Sequence, residues 1–238
     1  MSGRPDSSSN LQILETDVPE DLTLGWQAPV VAERQEAAFE EVLQAMRRGK
    51  VREDFAALAA AVKATALKDP LIIEVGSGSG WNHSVLEFLL KQNFRYIGMD
   101  YSQSMVALGR RAHPADLFVI GDAAALPFAS DCCDVLILGT VLMHVLGYRE
   151  AVQESRRVAR NCCIFHTIPV VEKRKTTLIR KNAYGVPVVE ITFSEREFID
   201  LLSKNGFRVR ETFQSVPHPY LEKLYGEAVH TRTYLCEC

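Results

Sequence analysis

The chemistry-bearing residues of this chain lie in three short segments, and each segment follows a predicted buried strand. The first is the glycine-rich run Glu74-Val-Gly76-Ser77-Gly78-Ser-Gly80, whose glycines allow a tight turn and let a ligand approach the backbone. The second segment starts at Asp100, the last residue of a predicted strand, where an acid can accept hydrogen bonds from both hydroxyls of a ribose. The third contains Asp122, whose carboxylate can accept a hydrogen bond from an adenine amino group. Together they predict a cofactor site of the nucleotide type.

The elements that would position these segments alternate between strand and helix. The predicted strands cover residues 71–75, 95–100, 116–120, 135–138, 161–166, 207–213 and 230–235, and the predicted helices between them cover 84–92, 102–112, 148–160 and 194–205. This alternation is typical of an α/β fold with a mostly parallel seven-stranded sheet, helices on both faces and an antiparallel strand near the C-terminus. Since parallel strands end at the same edge of a sheet, the three segments are expected to converge there.

Length and composition favour a single domain. The chain has 238 residues, of which 47% are hydrophobic and 24% charged, as in an ordinary globular protein. We divide it into a flexible N-terminal arm, extra N-terminal helices, a cofactor-binding core, an insertion that is a candidate lid, and a C-terminal helix with strands. The corresponding ranges are 1–32, 33–68, 70–168, 169–193 and 194–238.

Charge and cysteine usage exclude several classes of protein. The 27 Lys and Arg against 30 Asp and Glu give a net charge of -3, which disfavours a protein held to nucleic acid by bulk charge. No apolar run reaches the roughly 18 residues that a membrane helix needs, and residues 1–10 lack the apolar region of a secretory signal. The six cysteines form no Cys-x-x-Cys pair. We therefore expect a cytoplasmic protein with reduced cysteines, no membrane span and no metal site.

Four motifs in chain order make the sequence similar to a known family. The runs 72–80, 96–102, 121–128 and 133–145 resemble successive motifs of class I S-adenosylmethionine-dependent methyltransferases, in particular the small-molecule branch typified by ubiquinone and menaquinone methyltransferases. The resemblance implies a Rossmann-like sheet, S-adenosyl-L-methionine as cofactor and S-adenosyl-L-homocysteine as product. The dinucleotide fingerprint of NAD-dependent oxidoreductases fits less well, because it requires a third glycine where this chain has Trp81.

The resemblance also implies a role for each matching residue. The three loop glycines would line the methionine moiety, with Glu74 orienting the loop from below. Asp100 would bind the ribose and Tyr101 would pack on the adenine, while Asp122 and the backbone of Ala123 would contact the adenine edge. Thr140 and Val141 would lie near the sulfonium. The cofactor-binding residues expected on this basis are Glu74, Gly76, Ser77, Gly78, Gly80, Asp100, Tyr101, Ser102, Asp122, Ala123, Thr140 and Val141.

A proton acceptor and a lid are predicted beside that site. His144 follows the fourth strand and is the candidate general base, with His166 as a second candidate. Trp26 and Tyr184 are candidate aromatic lid residues. The basic cluster within residues 173–181 favours an acidic or phosphorylated acceptor.

The sequence leaves the acceptor open. A small molecule is the main expectation, with a protein acceptor and a non-catalytic cofactor-binding protein as alternatives. A nucleic-acid acceptor is disfavoured, because the fourth strand is followed by Gly139-Thr-Val-Leu142 rather than an Asn/Asp-Pro-Pro-Tyr-like tetrapeptide. The oligomeric state is not predicted.

Overall fold

The computed structural model describes residues 11–14, 18–19, 22, 24–215 and 219–238. Residues 1–10, the first part of the predicted flexible arm, lie outside the described residues. The helices are α1 Pro29–Arg47, α2 Glu53–Ala64, α3 Trp81–Leu90, α4 Gln103–Ala112, α5 Tyr148–Val158, α6 Glu195–Lys204 and α7 Pro219–Tyr225. The strands are β1 Gln12–Leu14, β2 Leu71–Val75, β3 Arg95–Asp100, β4 Leu117–Ile120, β5 Cys133–Gly139, β6 Ala159–Val171, β7 Thr177–Ala183, β8 Val186–Ser194, β9 Arg208–Gln214 and β10 His230–Glu237.

The seven predicted strands form a continuous sheet in the order β4-β3-β2-β5-β6-β10-β9. Strands β2 to β6 pair in parallel, whereas β10 runs antiparallel to both β6 and β9. The mixed α/β architecture and the antiparallel C-terminal strand are therefore confirmed. Both faces of the sheet are covered, because strands such as β5 bury side chains on both sides. Helices α2, α3 and α4 pack on one face, and α5 and α6 pack on the other.

The segment after the fifth strand is more regular than the sequence indicates. Strand β6 continues to Val171, and its last residues pair with the end of β8. Strands β7 and β8 form an antiparallel hairpin, with β1 paired along the edge of β7. Helix α7 covers the outer face of this hairpin through Leu221 and Tyr225, which pack against Ile179. We refer to β1, β7, β8 and α7 together as the roof, since they lie beyond the carboxyl end of β5.

Two details of the local structure differ from the sequence pattern. Helix α1 begins at Pro29, within the predicted arm, because proline is preorganised for the first turn of a helix. Ser194 and Glu197 have the residue types and spacing of a capping box, but none forms, since the Ser194 side chain accepts no capping hydrogen bond. Glu197 instead accepts hydrogen bonds from the backbone and hydroxyl of Thr176, which tie α6 to the segment before β7. No helix in the part of the chain that the structure describes is long and apolar enough to cross a membrane.

Candidate cofactor and acceptor site

The glycine-rich loop turns sharply at the carboxyl end of β2. Gly76, Gly78 and Gly80 have φ values of +73°, +55° and +91°, the left-handed region that favours glycine. A Cβ on Gly76 would overlap the side chain of Val141, so this glycine is also required by close packing. The amides of Gly76 and Ser77 donate to the Met99 carbonyl at 2.7 and 2.9 Å, which ties the loop to the neighbouring strand. The loop is therefore rigid and lies where the motif predicts it.

Asp100 holds the same loop from the end of β3. One carboxylate oxygen accepts a hydrogen bond from the Gly78 amide at 2.9 Å, and the other accepts from the Ser102 amide at 2.9 Å. The Tyr101 backbone adds a third bond, and burial nevertheless raises the pKa of Asp100. Since a carboxylate offers about four acceptor positions, roughly one remains for a ribose hydroxyl. Asp100 thus holds the loop in position. Its predicted contact with the ribose would involve one hydroxyl rather than both.

Next to Asp100, two of the expected residues complete the start of α4. Ser102 is buried and caps the helix by accepting from the Met105 amide at 3.5 Å. Tyr101 is half-buried, and burial raises the pKa of its hydroxyl. Tyr101 thus follows directly after β3, next to the carboxylate that holds the loop, and its packing on the adenine stays a prediction.

Glu74 lies beneath the loop, fully buried. It accepts hydrogen bonds from Asn82 Nδ2 at 2.6 Å and from the Tyr96 hydroxyl. Burial raises the pKa of Glu74 to about 7. A Cβ on Gly139 would overlap the Glu74 carboxylate, so β5 makes room for this side chain with a glycine. Glu74 therefore orients the first turn of α3 through Asn82, whereas the sequence predicted that it orients the loop itself.

Helix α1 covers the loop through contacts that the sequence analysis missed. Glu36 accepts a hydrogen bond from Ser79 Oγ at 2.5 Å and another from Trp81 Nε1 at 3.1 Å. The Trp81 ring stacks on Phe39 with ring centroids 4.1 Å apart. Trp81 therefore packs against α1. The partners are separated by more than forty residues, which local pattern analysis cannot connect.

Asp122 and Ala123 follow β4 in a tight turn. Asp122 is exposed, and its carboxylate accepts from the Ala124 amide at 2.9 Å, an Asx turn that fixes the backbone. The next residues are clamped by α5, where Glu154 accepts from the Leu126 amide at 2.9 Å and Arg157 donates to the Leu126 carbonyl at 3.1 Å. The turn thus presents the Asp122 carboxylate and the buried Ala123 backbone at the same sheet edge as Asp100.

Two threonines with left-handed backbones mark the carboxyl ends of β5 and β6. Thr140 has a φ of +59° and Thr167 a φ of +57°, which is uncommon for β-branched residues. The Thr167 hydroxyl donates to the Thr140 hydroxyl at 2.7 Å. Strained backbone of this kind concentrates at functional sites. Thr140 is exposed, and Val141 packs against Gly76 of the loop. Their position near the sulfonium stays a prediction.

His144 lies at the seam between β5 and the roof. Its Nδ1 is 2.9 Å from the Val189 carbonyl, and because a carbonyl only accepts, Nδ1 carries the proton. In the neutral ring Nε2 is then the basic nitrogen. The ring packs against Trp26, with centroids 4.5 Å apart, and Trp26 packs edge-on against Tyr184 at 6.2 Å. The structure therefore brings the candidate base together with both candidate lid residues.

Tyr184 lies at the tip of the β7–β8 hairpin. Tyr184 and Gly185 have φ values of +52° and +84°, which fit a two-residue type I′ turn. The Tyr184 carbonyl accepts a hydrogen bond from Arg34 Nη1 at 2.6 Å, so the tip rests on α1. The hairpin tip, α1 and the short turn Gly25–Gln27 are thus in contact with one another beyond the carboxyl end of β5.

The remaining candidates have structural partners. His166 is fully buried in β6, bonds to the Thr233 hydroxyl at 2.9 Å, and burial lowers its pKa to about 4. The basic cluster does not form one surface, because Arg174 pairs with Glu227 at 3.5 Å and Lys181 pairs with the buried Glu190.

Comparison with known proteins agrees with this geometry. Residues 73–165 match the family described as "Methyltransferase domain". A demethylmenaquinone methyltransferase from Renibacterium salmoninarum is 29% identical over 89 residues, 37% of this chain and 36% of that protein. A probable S-adenosylmethionine-dependent methyltransferase from Mycolicibacterium smegmatis is 26% identical over 141 residues, 59% of this chain and 53% of that protein. These matches span about a third to a half of the relatives' lengths.

A solved structure extends the likeness over almost the whole chain. The Burkholderia thailandensis 1,6-didemethyltoxoflavin-N1-methyltransferase, crystallised with 1,6-didemethyltoxoflavin and S-adenosylhomocysteine, has a TM-score of 0.60 and covers 96% of both chains. At 16% identity the likeness establishes a shared fold.

Proposed function

Since residues 73–165 form a domain of the class I S-adenosylmethionine-dependent methyltransferase family, we propose that the protein transfers a methyl group from S-adenosylmethionine to a small-molecule acceptor. The reaction is an in-line displacement that leaves S-adenosylhomocysteine. A protein acceptor and a non-catalytic cofactor-binding protein are the alternatives that experiments must separate from it.

The observation that carries the proposal is the tie between the loop and Asp100. Three left-handed glycines end β2, and a buried carboxylate at the end of the adjacent strand accepts from the Gly78 amide. In an open parallel sheet this is the edge at which ligands bind. The exposed Asp122 carboxylate lies at the end of the next strand, where it supports contact with the adenine amino group.

The residues present fit the cofactor. The fourth acceptor position of Asp100 suits a ribose hydroxyl, and the ionisable Glu74 beneath the loop favours a cationic methionine ammonium above it. When bound, S-adenosylmethionine supplies a methyl carbon that its sulfonium has already activated. The task left to the protein is alignment, which can contribute up to roughly 7–11 kcal/mol to catalysis.

The acceptor would bind between Thr140 and the roof. Two features support this position: His144 offers a basic Nε2, and Trp26 Nε1 is buried without a hydrogen-bond partner among the described residues. Buried hydrogen-bond donors rarely lack a partner. An oxygen or nitrogen atom of the bound methyl acceptor would be the partner of Trp26 Nε1. His144 would take the proton that a hydroxyl or ammonium acceptor loses.

Two further parts of the proposal concern the charge of the acceptor and the location of the protein. An acidic acceptor relies on Lys173, Lys175 and Arg180, because Arg174 and Lys181 already pair with glutamates. A reducing, cytoplasmic location is supported by six free cysteines, two of which, Cys163 and Cys236, lie directly opposite each other in β6 and β10.

Calorimetry tests the cofactor half of the proposal. We expect binding of S-adenosylmethionine and S-adenosylhomocysteine and none of NAD. Asp100→Ala should weaken binding about 5- to 150-fold, because it removes a buried acceptor worth about 1–3 kcal/mol. Glu41→Gln, an exposed change on α1, serves as the control. Tight NAD binding without S-adenosylhomocysteine binding would overturn the assignment.

Transfer of labelled methyl tests the catalytic half. The protein is incubated with [methyl-¹⁴C]S-adenosylmethionine and with separated small-molecule and protein fractions of a cell extract. Label in the small-molecule fraction supports the proposal, whereas label in protein supports the first alternative. Tight cofactor binding without transfer to either fraction would support a non-catalytic role.

A further inference from the structure

A cluster of ligating side chains lies outside the cofactor site, on the side of the sheet covered by α3 and α4. His83 and Glu87 are four residues apart on α3, and His113 follows the last residue of α4. Within the described part of the chain, these three residues form the group whose ligand atoms lie within 4.8 Å of one another. Asp116, just before β4, completes the surroundings of His83.

The orientation of His83 is fixed by its partners. His83 is 5% exposed, and its ring packs edge-on against Tyr96, with ring centroids 4.7 Å apart. Its Nε2 lies 3.1 Å from Asp116 Oδ2, and because a carboxylate only accepts, Nε2 carries the proton. The Nδ1 atom is buried and has no hydrogen-bond partner among the residues described. A buried, unpartnered lone pair therefore points out of the His83 ring on the side opposite Asp116.

That lone pair faces the other two residues of the cluster. His83 Nδ1 is 3.6 Å from Glu87 Oε2, and the His83 and His113 rings lie 4.4 Å apart. Two ligand atoms at about 2.0–2.1 Å from a tetrahedral zinc ion lie roughly 3.4 Å from each other. The Glu87 side chain is 61% exposed, so an ion can enter from solvent.

We propose that His83 Nδ1, a carboxylate oxygen of Glu87 and an imidazole nitrogen of His113 bind a divalent transition-metal ion, with zinc as the best fit. Two imidazoles and one carboxylate are a ligand set that zinc accepts, and a water completes the tetrahedron on the exposed side. Asp116 is a positioning residue, since a carboxylate on the second ring nitrogen fixes the tautomer of a metal-binding histidine.

The site would join two helices that flank the cofactor loop. His83 lies in the first turn of α3, directly after the loop, whereas His113 lies at the end of α4. A Cβ on Gly80 would be 2.7 Å from His113 Cδ2, so the cluster packs directly against the last loop glycine. A bound ion would hold α3, α4 and the loop together. This role does not depend on the proposed methyl transfer.

Metal binding by the full-length, chelator-treated and fully reduced protein tests the site. Zinc affinity is measured by calorimetry, and Co²⁺ absorption reports the ligand atoms. We expect one ion per chain, a Co²⁺ spectrum without a thiolate charge-transfer band, and a higher melting temperature with zinc. A thiolate band at one equivalent would assign the ion to the cysteines and overturn the proposal.

Variants separate the proposed ligands from chance binding. Glu87→Gln is at an exposed helix position and should fold, yet lower zinc affinity at least 10-fold. Asp116→Asn should lower it 10- to 100-fold without removing a ligand. The control Glu41→Gln, on another exposed helix position, should leave affinity unchanged. If Glu87→Gln and His113→Asn both bind zinc as tightly as the unaltered chain, the site does not exist.

Discussion

Among the described residues, two glutamates are fully buried, and their partners differ in charge. Glu74 lies in the cofactor half, by which we mean β2 to β5 with the glycine-rich loop, α3 and α4, and Glu190 lies in the roof. Glu74 accepts hydrogen bonds from the neutral side chains of Asn82 and Tyr96. Glu190 contacts the Lys181 ammonium and accepts a bond from the Tyr220 hydroxyl at 3.3 Å. Burial raises the pKa of Glu74 to about 7, so the first carboxyl is readily protonated, whereas the second is one member of an ion pair.

The difference shows how each half is stabilised. Beneath the cofactor loop, the Glu74 carboxyl has a pKa of about 7 and can take up or release a proton near neutral pH. In the roof, removal of either charge strands the other in a buried position. The cofactor half is thus open to electrostatic adjustment, whereas the roof is held by a contact that tolerates little change.

His144 connects the end of β5 to the roof, and its replacement should have the largest effect, which is a loss of methyl-transfer rate. Its backbone follows β5 and its ring bonds to Val189 in the roof. If the acceptor loses a proton, His144→Ala should lower methyl transfer about 10²- to 10⁴-fold, the usual contribution of a general base. Cofactor affinity by calorimetry should stay within twofold.

His144→Gln separates chemistry from architecture. Glutamine can still donate to the Val189 carbonyl but cannot act as a base, so it should be as slow as His144→Ala. Near-normal transfer by His144→Gln would show that the ring serves only to join β5 to the roof.

Glu190→Gln should cause the next largest change. The substitution leaves the Lys181 ammonium buried without its counterion, which typically costs about 3–5 kcal/mol of unfolding free energy. Urea denaturation measures this loss. The double variant Lys181→Met with Glu190→Gln should recover most of it, because no buried charge remains. A single variant within about 1 kcal/mol of the unaltered chain would mean that water already solvates this pair.

The sequence predicts the cofactor half better than the roof for a physical reason. Strands β2 to β5 and the loop carry local signals, since glycines, strand-end acids and helix caps act within a few residues. The roof depends on distant contacts: β7 pairs with β1, and the Arg34–Tyr184 bond joins residues 150 positions apart. Tyr184-Gly185 lacks the Asn-Gly or Asp-Gly signal of a two-residue hairpin, so residues 169–193 read as an irregular insertion.

The same reasoning explains which site residues sequence analysis found. Asp100 and Asp122 follow strands and could be located by position alone. Glu36 was missed, because nothing near it in the chain indicates that it accepts from Ser79 and Trp81. The sequence predicts Lys181 to be part of a basic cluster, because its partner Glu190 comes next to it only through the pairing of β7 with β8.

Glu74→Gln should remove the part of the pH dependence of stability that comes from the Glu74 carboxyl. The folded pKa of Glu74 is about 7 and its ordinary value is 4.5, so the folded state binds more protons between these limits. This group therefore lowers the unfolding free energy as pH rises from 4.5 to 7, by roughly 3 kcal/mol in total. The variant lacks that loss, so its stability relative to the unaltered chain should increase over this range.

His166 is a second buried group, and its effect on stability changes with pH in the direction opposite to that of Glu74. The pKa of His166 in the folded state is about 4, below the ordinary 6.5. Its contribution to the unfolding free energy is therefore lost as pH falls from 6.5 towards 4. The two opposing trends should nearly cancel in the unaltered chain, and Glu74→Gln should expose the His166 trend. Urea denaturation at pH 4.5, 5.5, 6.5 and 7.5 measures both. A constant difference between the two proteins would show that Glu74 titrates normally.

Arg34→Ala should have the smallest effect and the most local one. Arg34 donates to the Tyr184 carbonyl from an exposed position, so the lost bond should lower the unfolding free energy by no more than about 1 kcal/mol. Hydrogen exchange followed by mass spectrometry should show faster exchange at the hairpin tip, residues 182–187, and unchanged exchange in β2 and β3. Arg47→Ala, at the other end of α1, is the control.

Because Trp26 packs on both Tyr184 and His144, S-adenosylhomocysteine should restore protection at the hairpin tip of Arg34→Ala if roof and cofactor half are coupled. Equal exchange at the tip with and without the cofactor product would instead make the hairpin a fixed wall, and the lid prediction for Trp26 and Tyr184 would be wrong.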